Sequence, residues 1–290
     1  MVRIWPQCVP CIYSARAREL LDAGNLSGEE KVYALAALAA ELSRANPHSS
    51  TIRLASDTYR FVKRKARDPD PYRDYKRESN RLVKERLLPL LEERVGRLAG
   101  YERLRSLLLA SIAANSLDPG VPGYEKLDVS LNVELGRDDS REAYELLRGA
   151  RRVTYVLDNA GEALVDLEVV KLLRSMGLEV WVLAKSRPYQ NDVTVDEAAE
   201  LGFSEYARVV GTGSDAAGPL PGELSEEAVA ALTETDVILA KGMAVFEAFE
   251  EWAPPKPVVH VLRAKCAPVA AAVGVGVGEG AIALRKPARR

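Results

Sequence analysis

The sequence predicts an α/β protein in which an N-terminal helical region precedes a Rossmann-like, three-layer α/β/α domain with a mostly parallel sheet. Three observations predict it. Helical periodicity dominates residues 1–150. Beyond residue 150, short β-rich runs alternate with amphipathic helices, the βαβ pattern whose right-handed crossovers place helices on the faces of a parallel sheet. No internal repeat or low-complexity linker separates 1–150 from 151–290, so the two regions are expected to pack closely.

In chain order, Leu20, Leu21, Val32, Leu35, Leu38 and Leu42 recur at spacings near three and four, and Ser27 with Glu30 forms a capping box. Asp70-Pro71 reads as a cap before proline, opening a helix that carries Leu82, Val83, Leu87, Leu90 and Leu91 towards Arg97. Pro89 lacks an N–H and crowds the preceding turn, so it should kink this helix or end its first half. A further helix covers Tyr101–Ala114 and stops at the loop signal Asn115-Ser116-Leu117-Asp118-Pro119-Gly120. Strands are expected at 153–157, 180–183, 207–210, 237–240 and 258–262, with helices at 163–176 and 223–232 between them. The glycines from Gly274 to Gly280 read as a tight turn, and 275–284 as an added edge strand.

The chain's 290 residues suit one large domain or two smaller ones. With 40 basic against 42 acidic side chains, the net charge of −2 excludes a nucleic-acid binder that relies on a bulk positive field. Cys266–Gly278 is too short and glycine-rich to span a bilayer, and the N-terminus lacks a signal peptide's apolar stretch. Neither nucleic acid nor membrane is expected as a partner, and the cytoplasm is the expected location. Three cysteines do not make a secreted disulfide framework.

Chemistry concentrates at the predicted strand ends, where a parallel sheet opens a ligand crevice. The first strand ends in Asp158-Asn159-Ala160-Gly161-Glu162, and Asp192 follows the second, giving two acids and an amide as hard oxygen ligands for one divalent cation. A helix cap alone would also account for Asp158-Asn159. Recurrence favours function: Lys185 to Thr194 brings Arg187 and Asp192, the third strand runs into Gly211-Thr212-Gly213-Ser214-Asp215, and the fourth into Lys241-Gly242. Lys241, the amides of the glycine loop at Gly213 and the guanidinium of Arg187 would then hold an anionic substrate, most naturally a phosphate bridged to the metal. Phosphate-ester hydrolysis fits that division of labour. A dinucleotide site does not, because the first strand lacks a following G-x-G-x-x-G.

These motifs, in this order, together with Arg263-Ala264-Lys265-Cys266, resemble the metal-dependent damage-control phosphatases, long catalogued as domain of unknown function 89. Cys8-Val9-Pro10-Cys11, Asp70-Pro71-Tyr72 and the segment from Ala114 to Gly120 look like that family's microbial, stand-alone branch. The resemblance implies Mn²⁺, Mg²⁺, Co²⁺ or Ni²⁺ on Asp158, Asn159 and Asp192, a phosphate contact from Lys241, and substrate-side roles for Asn115, Glu162 and Ser214. It implies a phosphorylated sugar or metabolite as substrate, often a side product of metabolism. One departure stands out: where the family's Lys-Gly segment continues to Asn-Tyr-Glu, this chain has Val245-Phe246-Glu247, which puts substrate range and turnover in question.

Cys8 and Cys11 have a spacing that can chelate a soft metal or form a redox pair, with Cys266 as a third ligand if the fold brings the termini together; buried thiols at a helix start are the plainer reading. His48 and His260 have no metal-ligand spacing, and Tyr59, Tyr72 and Tyr75 are expected to pack helices. Two other functions are weighed. An S-adenosylmethionine-dependent carboxyl methyltransferase would need a glycine-rich loop after the first strand that is missing, and a non-catalytic metal or thiol binding protein would follow if Val245 disables turnover.

Overall fold

The computed structural model describes residues 3–115 and 131–287, so the loop signal at 116–120 lies outside the described residues. Helices α1 (Cys8–Asp22), α2 (Gly28–Leu42) and α3 (Thr51–Ala66) enclose an apolar cluster around Leu20, Leu38 and Val62. Ser27 and Glu30 make the reciprocal capping box that opens α2.

The next helical rod consists of α4 (Arg73–Leu82), a π turn at Val83–Leu87 and α5 (Leu88–Val95). Pro89 cannot donate into the ladder and its ring crowds the carbonyl one turn back. The helix widens instead, with Leu88 N–H bonding Val83 O across five residues. The rod begins at Arg73 rather than Pro71, because the Asp70 carboxylate turns to Lys76 Nζ at 3.0 Å instead of capping. Helix α6 (Gly100–Ala114) follows and packs along the helix Glu162–Ser175 of the α/β layer.

The remaining elements are β1 (Leu135–Asp138), α7 (Ser140–Gly149), β2 (Arg152–Val156), α8 (Glu162–Ser175), β3 (Glu179–Ala184), α9 (Val195–Glu200), β4 (Arg208–Gly211), α10 (Glu226–Thr233), β5 (Val237–Lys241), α11 (Gly242–Glu251), β6 (Val258–Arg263), α12 (Ala267–Val273) and β7 (Gly280–Arg285). They form a seven-stranded sheet in the order β1-β7-β6-β5-β2-β3-β4, parallel throughout except at β6–β7. Two expectations need correction. β7 is an interior strand, and the edge is taken by β1, a strand upstream of residue 150 whose polar Leu-Gly-Arg-Asp sequence carries no alternation to announce it.

Chain order reverses between β2 and β5. β2, β3 and β4 run one way from that line and β5, β6 and β7 the other, so a crevice opens at the carboxyl ends of β2 and β5. Beneath it one apolar core runs from Val83 and Leu107 through Tyr155 and Val170 to Val259, joining the helical rod and α6 to the sheet. Among the described residues no helix is long and apolar enough to cross a membrane.

Candidate active site

The two loops that leave β2 and β3 are laced together by main-chain bonds. Asp158 O accepts from Val193 N at 2.9 Å, Asn191 O accepts from Ala160 N at 2.8 Å, and Asn159 pairs with Asp192 in an isolated antiparallel bridge. This lacing brings Asp158, Asn159 and Asp192 into the wall of one cavity of 120 Å³. Asn115, from the end of α6, also lines it, together with Met243, Ala244 and Glu247 of α11, Lys265 after β6, and the turn Tyr189–Asn191. Gly161 turns the chain into α8 at φ 80°, its N–H bonded to Asn80 Oδ1 at 2.6 Å, and Glu162 enters the first turn of that helix.

Burial, then the neighbouring carboxylates Asp192 and Glu162, hold the Asp158 carboxyl well above its ordinary range, against the pull of Lys265 and Lys241. Asn115 Nδ2 donates to Asp158 Oδ2 at 3.0 Å and to Glu162 Oε2. Asn159 Nδ2 donates to Asp158 Oδ2 at 3.1 Å, which leaves its amide oxygen for a cation. Lys185 Nζ lies 3.3 Å from Asp192 Oδ2 and donates to the carbonyls of Ala216 and Ala217. Two crowded, buried carboxylates and an amide oxygen form a hard donor set, and they could hold a divalent cation such as Mg²⁺ or Mn²⁺. Among the described residues no group of three or more His, Cys, Asp or Glu side chains is arranged to do so, so the amide is needed to complete the set.

Lys241 lies behind this wall. Its ammonium is buried in an ion pair with Glu162 and stands 3.5 Å from Asp166 Oδ1, which also accepts from Ser111 Oγ at 2.5 Å and Tyr155 OH at 2.6 Å. Among the described residues, the cation that lines the cavity is Lys265. Lys265 follows the fifth predicted strand, a strand-end position like that of Lys241.

The other substrate-side candidates separate. Asn115 lines the cavity and Glu162 supports it, whereas Arg187 is exposed in a different, basic cleft with Arg60, Lys63 and Arg64. Gly213 N–H is committed to Ser186 Oγ at 2.6 Å, and Ser214 Oγ accepts from Ala216 N at 3.2 Å, so the glycine loop binds its own chain. Val245 is buried in apolar packing with Val156 and Phe249, away from the cavity, so the missing family amide changes the core of the layer and leaves the lining intact. The fold does bring Cys8, Cys11 and Cys266 close enough to influence one another, but burial pushes the Cys266 thiol up to about 12 and raises Cys8 as well, which keeps both protonated. Lys185 belongs to the strand-end loop that stood out in the sequence, whereas no sequence signal marked Glu247 as part of the lining.

A family model for the damage-control phosphatase ARMT1-like domain matches residues 4–280. The chain belongs to this family. A damage-control phosphatase of Archaeoglobus fulgidus is 31% identical over 219 residues, covering 72% of this chain and 74% of that protein. An uncharacterized protein of Methanocaldococcus jannaschii is 31% identical over 98% of this chain and 96% of its own length. The crystal structure of a domain of unknown function 89 protein from Pyrococcus horikoshii superposes with a TM-score of 0.85 over 98% of this chain and 99% of that one, at 24% identity, and so shares the fold. Membership in the damage-control phosphatase family agrees with the resemblance carried by the strand-end motifs.

Proposed function

We propose that the chain is a divalent-metal-dependent phosphatase acting on phosphate esters of small metabolites, in keeping with the names of its relatives. The observation that carries this reading is the convergence of Asp158, Asn159, Asp192 and Lys265 on one cavity at the line where strand order reverses. Asp158, Asn159 and Asp192 would hold the ion, which when bound polarises the phosphoryl oxygens and makes a bound water a better nucleophile.

The rest falls to the chain's own side chains. Lys265 supplies the positive charge that pairs with the phosphoryl oxygens as negative charge builds on them. Glu247 lines the same cavity, and burial followed by the charge of Glu251 pushes its carboxyl up to about 8; it therefore holds a proton at neutral pH that it can deliver to the departing oxygen. Lys241 acts through Glu162, and Glu162 through Asn115, to fix the Asp158 carboxylate.

The test is phosphate release from a panel of sugar and metabolite phosphates after chelator treatment, with Mn²⁺, Mg²⁺, Co²⁺ or Ni²⁺ restored one at a time. Release that requires an added ion supports the reading. A folded protein that binds none of the four ions and releases no phosphate overturns it.

A further inference from the structure

The turn Tyr189-Gln190-Asn191-Asp192 supplies one wall of the cavity and is closed by Asp192 N–H bonding Tyr189 O at 3.0 Å. Gln190 stands in the left-handed region at φ 41°, which an L-residue rarely adopts without help. The help comes from the far end of the chain. Gln190 Nε2 donates to Glu19 Oε1 at 2.9 Å, and the same oxygen accepts from Tyr72 OH at 2.8 Å. Both Glu19 carboxylate oxygens are held at 2.9 Å by Arg16 Nη1, one turn earlier on α1.

Arg16 is itself fixed, its guanidinium lying 4.9 Å from the centre of the Tyr59 ring and 5.9 Å from that of Tyr189. Tyr59 and Tyr189 meet edge to face at 5.0 Å. The first helix therefore grips the turn twice, by the ring of Tyr189 and by the amide of Gln190. Glu19 does not line the cavity; it reaches the turn through Gln190, and through Arg16 against Tyr189.

We propose that Glu19 is a positioning residue for the metal-binding turn: by holding Gln190 in its left-handed conformation it sets where the Asp192 carboxylate stands relative to Asp158. This rests on the reading of Asp192 as a metal ligand. A side chain that orients a ligand from outside the coordination sphere costs about tenfold or more in metal affinity when it is lost, and it does so without a matching loss of fold.

The experiment is calorimetric titration of the chelator-treated full chain with Mn²⁺, alongside a metal-free thermal melt, for wild type, Glu19→Ala, Gln190→Ala, Gln190→Gly and the Glu19→Ala/Gln190→Ala double variant. Gln190→Ala is expected to weaken Mn²⁺ binding about tenfold, and Gln190→Gly less, because glycine enters the left-handed region unaided. The double variant should lose less than the sum of the two single losses, since both substitutions break the Glu19–Gln190 contact. Gln190→Ala sits on a partly buried turn, so it remains informative if Glu19→Ala fails to fold. Wild-type Mn²⁺ affinity in a folded Gln190→Ala protein, or strictly additive losses in the double variant, overturns the positioning role while leaving the metal site standing. A wild-type protein that takes up no Mn²⁺ overturns the metal reading and this inference with it.

Discussion

The Asp158 carboxylate lies directly against the Cα of Gly242, where β5 gives way to α11: a Cβ built at position 242 would overlap the carboxylate carbon and both its oxygens. The glycine also stands at φ 78°. The contact sets the carboxylate at the amino end of α11, whose free N–H groups favour negative charge. Two independent reasons therefore reserve the position for glycine. Gly242→Ala should displace Asp158 and cost about 1–3 kcal/mol from the backbone conformation alone. Urea denaturation and metal-dependent phosphate release should fall together; a variant with unchanged melting and turnover would mean that Asp158 has room to move without consequence.

Asp158→Asn should separate stability from activity. The amide keeps the carboxylate's shape and can still accept from Asn115, but it removes a buried negative charge that Asp192 and Glu162 repel. The metal-free protein should melt at the same temperature or higher, while Mn²⁺ affinity falls at least about tenfold. Asp192→Asn should lack that gain, because it gives up the attraction of Lys185 at 3.3 Å. A metal-free melt of Asp158→Asn well below wild type would show that the carboxylate holds the turn together by its charge.

The two lysines should behave as opposites. Lys241→Met leaves the buried Glu162 carboxylate without its ammonium, a loss of about 3–5 kcal/mol. Lys265→Met should weaken inhibition by inorganic phosphate and raise KM with a much smaller effect on urea stability. If Lys241→Met instead folds normally with weakened phosphate inhibition, and Lys265→Met is inhibited as wild type is, the phosphate contact returns to Lys241.

Stability should depend on pH through Glu247, whose carboxyl is raised to about 8 in the fold. The unfolded chain releases that proton near the ordinary glutamate value, about 4.3. Between those two values the folded state holds more protons than the unfolded one, so stability is greatest at the acid end and declines as pH rises, levelling above about 8. Asp158, also raised, adds in the same direction. The urea midpoint of the metal-free protein should fall from about pH 5 to about pH 8, and less steeply in Glu247→Gln. Equal slopes in the two proteins would remove Glu247 as the titrating group.

Much of the α/β layer was legible because its strands are buried on both faces and read as continuous apolar runs: 153–157 became β2 (Arg152–Val156), and 258–262 became β6 (Val258–Arg263). β1 was not legible, since Arg137 and Asp138 of this edge strand face solvent and its pairing is decided by β7, far along the chain. That Asp158, Asn159 and Asp192 come together in one cavity was legible from their place at strand ends, a local property. What lies behind them was not. Lys241 reads in sequence as a cation at a helix entrance, and only the fold shows that Glu162 and Asp166 draw it inward. The grip of Glu19 on Gln190 joins residues with no shared element or periodicity, so no pattern could have announced it. Ser214 and Gly213 looked available because their turn chemistry resembles an anion nest, yet the loop spends those groups on its own closure.

The interior place of β7 has a consequence for how the chain is made. β1 has β7 as its only strand neighbour among the described residues, and Leu135 must wait for Gly280 before its backbone is paired. As the chain leaves the ribosome, β2 to β6 can zip into a parallel sheet while β1 and the free side of β6 remain open. The last strand then slides between them and closes both at once. Since Lys265 sits in the segment between β6 and β7, a nascent protein owns its cavity carboxylates before it owns a finished pocket, and a stalled chain would present an unpaired strand and an unsealed sheet edge to its neighbours.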